Sequence, residues 1–203
     1  MSKIKGICVL LGFCFAAPMA QADDLTLFGL KLNAPLTLPE CHKTQYMRGH
    51  WEYDNIVVKQ TCISTIVISS GAIDLSHAMI LITFSPGENP SIARGSITGY
   101  VEKGNLVGVR LWTHGSITQD YDFQQLVDKF GLPAKKSITP MTNRFGAKID
   151  IISADWDKAP LTVEFSASDG TIDRGVIEIL LPEAKVIVKE RQARLNALIG
   201  KPL

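Results

Sequence analysis

The chain has 203 residues, 46% of them hydrophobic and 20% charged, with a formal net charge of +1. A balance so near neutrality excludes the strongly basic surface that neutralises nucleic-acid phosphates, and equally the acidic excess of calcium-loaded or disordered segments. The apolar content suffices for a packed core, in one domain or two small abutting ones.

Residues 1–22, MSKIKGICVLLGFCFAAPMAQA, carry the three parts of a secretory signal peptide. Lys3 and Lys5 form the basic region, Gly6 to Ala17 the apolar core, and Ala20-Gln21-Ala22 the small-x-small cleavage site. The apolar core stops at Pro18, short of the roughly 20 residues a membrane span needs, and Phe13 is too bulky to precede a lipidated Cys14. The expectation is an exported, soluble protein cleaved near Ala22, with no stable membrane span, in an oxidising compartment read as a bacterial periplasm. Cys8 and Cys14 leave with the signal, so Cys41 and Cys62 remain as one pair. An even count in a secreted chain reads as a disulfide, worth roughly 3 kcal/mol in the chain-entropy model. The alternative is a metal held by Cys41, His42, His50 and Cys62, but the spacing matches no zinc pattern. Neither metal nor cofactor is expected.

In chain order, Leu25, Leu27, Leu30 and Leu32 suggest an extended opening strand before the turns at Pro35 and Pro39. Ile56 to Ile68 is β-branched and reads as a strand carrying Cys62. Ala78 to Phe84 is apolar on both faces, which places it centrally in a sheet. Pro86 to Pro90 is a loop by its turn chemistry. Ile97 to Val101 and Leu106 to Thr113 flank a short Gly-containing turn and read as a β-hairpin.

The clearest helix runs from about Ser116 to Phe130. Ser116 and Gln119 have capping-box spacing, Phe123, Leu126, Val127 and Phe130 form one apolar stripe, and Gly131 with Pro133 supplies the stop. Asp122 and Gln125 lie off that stripe and should tolerate alanine. Three strands follow, Ala147 to Ile152, Leu161 to Ala167 and Gly175 to Leu181. Pro182-Glu183 then opens a final helix with a basic face. Without βαβ alternation the order reads as α+β, mainly antiparallel sheet with a central amphipathic helix and a C-terminal helix. It divides into a signal (1–22), a strand-rich half with the disulfide (23–115) and a helix-strands-helix half (116–203), possible abutting α/β modules. Phe28-Gly29-Leu30 recurs as Phe130-Gly131-Leu132, too short a match to establish duplication.

The second half, a helix ending in Lys129-Phe130-Gly131-Leu132-Pro133 and then strands, resembles in element order the small α/β modules of bacterial envelope proteins and of the β-lactamase inhibitor protein. That resemblance covers half the chain and names no family.

No Gly-x-Ser-x-Gly elbow, His-Glu-x-x-His, phosphate-binding loop, Cys-x-x-Cys or dinucleotide fingerprint occurs. His50 or His114 with Asp120, Asp122 or Asp155 would make an acid-base pair, but all four histidines, with His42 and His77, lie beside turns and read as partly exposed. In Asp155-Trp156-Asp157 the aspartates share one strand face and the tryptophan takes the other, a core position. Trp51 and Tyr53 are candidate aromatic anchors of a partner surface, or else cover the disulfide. The sequence therefore points to a non-catalytic periplasmic protein that binds another protein of the cell envelope, of inhibitor, immunity or assembly type. The alternatives are an enzyme on cell-wall or small-molecule substrates through a His/Asp site, or a lipid- or ligand-carrying module.

Overall fold

A computed structural model describes residues 25–46, 50–53, 58–65, 72–143 and 145–199. The signal segment, residues 56–57 and 66–68 of the expected Cys62 strand, and the side chains of His50 and Trp51 lie outside the described residues. The strands are β1 (Thr26–Leu27), β2 (Leu30–Lys31), β3 (Ala34–Pro35), β4 (Lys43–Tyr46), β5 (His50–Tyr53), β6 (Cys62–Ser64), β7 (His77–Thr83), β8 (Ile97–Glu102) and β9 (Asn105–Thr113). After helix α1 (Gln119–Phe130) come β10 (Lys135–Thr142), β11 (Lys148–Lys158), β12 (Leu161–Thr171), β13 (Arg174–Leu180) and helix α2 (Pro182–Ile199).

Among the described residues the main sheet has nine strands, in the order β10-β11-β12-β13-β9-β8-β7-β6 with β3 beside β9. Every pairing among these strands is antiparallel. Two four-stranded meanders meet where β13 pairs with β9, so one sheet runs across the 115/116 position. The chain is α+β, with one helix central in sequence and one C-terminal.

Register explains the layering, because opposed residues share a face. Trp156, Val163, Ile179, Val109, Gly99 and Ile80 form one row across six strands, and its side chains are buried. The next row on that face is Ala154, Phe165, Ile177 and Leu111. Burying a side chain of this size contributes roughly 1.5–3 kcal/mol, so this face holds most of the core. It is covered by α1, whose Leu126 is buried and whose Phe123 ring lies 6.0 Å from Trp156, and by Leu27, Leu30 and Leu32 of the opening segment. The Trp156 indole donates to the Gly131 carbonyl at 2.7 Å, fastening the helix end to β11.

The second face is split by α2. Leu180, Gly108, Tyr100 and Met79 make an apolar row, and α2 packs there through Ala184 and Ile187. Gly108 permits this approach, since a Cβ there would lie 2.8 Å from that of Ala184. One row further, Asp155, Glu164, Glu178, Arg110 and Thr98 are polar. Burial raises the Glu178 pKa against the pull of Arg110, whose guanidinium is 3.4 Å away. Burial also pushes the Tyr100 hydroxyl up to about 12.

Several local expectations are corrected. The opening strand is a tight hairpin, because Phe28 and Gly29 both take positive φ and fold β2 back on β1. β7 is penultimate in the sheet and its Met79 and Leu81 are only half-buried, so its continuous apolar run is not that of a doubly covered central strand. Ser116 forms no capping box: it lies in a 3-10 turn, Gly115–Ile117, and α1 begins at Gln119. Asp122, placed off the stripe, is 1% exposed and accepts from the Thr118 hydroxyl at 2.7 Å. Burial raises its pKa, against the hydrogen bonds from Thr118 and Thr113 and the nearby His114. β10 is a strand that no sequence pattern announces, since KKSITPMT shows neither apolar alternation nor tolerance for a central-strand proline.

Candidate functional site

Cys41 and Cys62 are bonded, with Cα atoms 5.0 Å apart, which removes both thiolates from any metal. Backbone bonds from Cys41 N to Ile63 O and from Ile63 N to Pro39 O clamp the same junction. Tyr53 lies beside it, half-buried, donating to Glu40 at 2.9 Å and standing 5.7 Å beneath the Lys43 ammonium. Trp51 has its backbone in β5, paired with Gln45 of β4.

The described histidine side chains, His42, His77 and His114, do not gather into a shared cleft. His77 sits between Glu102 and Glu190. His114 is exposed, while the Asp122 it influences is a buried residue of α1. Asp155 belongs to the polar row with Glu164 and Glu178, on the face opposite the core. Among the described residues, no three His, Cys, Asp or Glu side chains are grouped to hold a metal.

What the structure brings together is at the other end of the sheet from the disulfide. β11 pairs with β12 only from Ser153 to Lys158, while its first five residues, 148–152, pair with β10 alone. β12 shifts its register against β13 between Ser166 and Thr171. A bulge of this kind bends its strand and re-aims the segment beyond it. The two hairpins therefore diverge, and the sheet ends in a fork.

Each prong has a local cause. The β10–β11 turn is built on Asn143, whose side-chain oxygen accepts from the amides of Phe145 and Ala147, both at 2.9 Å. That holds Phe145 out at 81% exposure. At the base, the 3-10 turn donates from Ser116 N to Ile172 O at 2.8 Å. Gly115 has φ +64 and comes so close that a Cβ would lie 2.4 Å from the same carbonyl, so only glycine seats this turn. Ile117 beside it is 80% exposed.

Between the prongs lies a cavity of about 540 Å³, lined by Met141, Asn143 and Phe145 from one hairpin and by Gly170, Ile172 and Asp173 from the other. Hydrogen bonds from Thr171 and its own backbone hold the Asp173 carboxyl below the usual range, with Arg94 and Arg174 adding to the effect. The fork thus has an apolar floor and an ionised rim. Such a surface offers desolvation to an apolar side chain. The Asn143-Arg144-Phe145-Gly146 turn signal was present in the sequence. Its meaning depended on the hairpin's distance from β12, which no local pattern encodes.

Comparison with protein-family models, with curated proteins and with solved structures finds no match to this chain.

Proposed function

We propose that this is an exported, non-catalytic protein that binds another protein of the cell envelope, and that the fork is where it does so. The observation that carries the reading is the exposure of Phe145 on the wall of an open, largely apolar cavity at the end of the sheet. Exposed aromatic and aliphatic anchors beside a concavity are the usual energetic centre of a protein interface. The disulfide supports an oxidising compartment, and no helix among the described residues is long and apolar enough to cross a membrane. Trp51 and Tyr53, both on β5, are the competing candidates.

The test is a photo-crosslinking residue placed at Phe145 or, separately, at Tyr53 in the exported protein, with adducts identified by mass spectrometry. A single protein trapped at Phe145 and lost with Ile172→Asp, while the disulfide and melting curve are unchanged, supports the fork. The same adduct formed at Tyr53 alone would move the interface to the disulfide end. No specific adduct at either position would refute protein binding.

A further inference from the structure

We infer that the fork takes its partner as an extended β-strand, added to the inner edge of β11, and that Gln119 occupies that edge until the strand arrives. The inference rests on the fork being the binding site. It concerns the kind of partner and how it is held.

Residues 148–152 of β11 have β10 on one side and, among the described residues, no strand on the other. Backbone groups along such an edge need partners. Two of them have one side chain between them: the Gln119 carboxamide donates to Asp150 O at 2.9 Å and accepts from Ile152 N at 3.0 Å. These are a carbonyl and an amide on the same side of β11, the groups a neighbouring strand engages. A primary amide reproduces that pattern for one position and then runs out. The edge continues past it toward Lys148, alongside the cavity that holds Met141 and Phe145.

The occupant follows from this geometry. An extended polypeptide supplies alternating N–H and C=O groups to the edge and alternate side chains to the apolar cavity, which is the logic of strand addition. A globular surface or a small apolar ligand would fill the cavity and leave the edge to Gln119. The outer edge of the sheet is closed to the same event. Pro140 stands opposite Asp150, whose carbonyl points away from β10, so the Pro140 nitrogen also points outward and has no hydrogen to donate.

The experiment pans a random dodecapeptide library against the mature, disulfide-bonded protein and takes the binders that Phe145→Ala weakens about tenfold or more. For these peptides, methylating alternate backbone nitrogens on one edge should abolish binding, while methylation on the other edge should not. Gln119→Ala should tighten binding about three- to tenfold, because no side chain must be displaced. Gln119→Glu, which keeps the acceptor for Ile152 N but sets a carboxylate against Asp150 O, should act in the same direction if shortening the side chain disturbs the fold. Fork-binding peptides indifferent to methylation and to both Gln119 variants would overturn strand addition and leave the fork as a binding site. Failure to select any peptide sensitive to Phe145→Ala would overturn both.

Discussion

Replacing His77 with glutamine should make the stability of this protein less dependent on pH. The ring lies between two carboxylates, with Nδ1 2.6 Å from Glu102 and Nε2 3.1 Å from Glu190. Carboxylate oxygens only accept, so both contacts are satisfied together only when both ring nitrogens carry protons. The Glu102 hydrogen bond, followed by its charge and by Glu190, raises the His77 pKa above 6.5. Glu102 ends β8 and Glu190 is on α2, so the imidazolium clips the helix to the sheet beside a groove that Ile187 and Met79 line. The other charges facing the ring, Arg191 and Arg194 on α2, stay cationic throughout, and Arg194 lies 3.9 Å from Glu190.

The clip therefore stabilises fully below the unfolded-state pKa of about 6.5 and is lost as pH rises through the higher folded-state value. With the ring 39% exposed, each pair is worth about 0.2–1 kcal/mol, and the two together about 1 kcal/mol. For a chain of this length that is roughly 2–4 °C in Tm. Thermal melts of the native protein and His77→Gln at pH 5.5 and pH 8.5 measure it. The native protein should melt higher by that margin at pH 5.5 and by nothing resolvable at pH 8.5. An equal margin at both values, or a larger one at pH 8.5, refutes the clip.

Cys41→Ser opens the bond to Cys62 and should cost about 2–5 kcal/mol, read as a lowered denaturant midpoint that reductant reproduces in the native protein. Asp122→Ala should cost about 1–3 kcal/mol by leaving the buried Thr113 hydroxyl and the half-buried Thr118 hydroxyl without their acceptor. Asp122→Asn should be milder at neutral pH. The Asp122 pKa is raised by burial, so its ionisation favours the unfolded chain as pH rises through the carboxylate range. Urea midpoints of the three proteins at pH 4 and pH 7 test this, and an alanine variant as stable as the native chain would contradict it.

Elements with a strong period were legible in the sequence. The 97–113 hairpin has its β-branched runs and its Lys103-Gly104 turn, and the structure gives both residues positive φ. The α1 stripe buries Leu126, and Trp156 takes the core side of its strand because alternation leaves it no other. The cysteine pair was legible because only two remained after the expected cleavage. Each of these is decided within one element or by one count.

The rest belongs to relations between distant segments. Asp122 is off the apolar stripe yet buried, because the 3-10 turn before α1 folds Thr118 over it. Gln119 has capping-box spacing but turns to β11, 31 residues away, because among the described residues no strand pairs with that edge there. β10 has no pattern of its own and is a strand because β11 offers it eight residues of backbone. Cys41 and Cys62 could be paired from sequence, whereas no local pattern singles out Phe145. Only the register shift in β12 puts Phe145 across a cavity from Ile172, since the divergence of two hairpins is set by pairing between strands and not by the residues of either one.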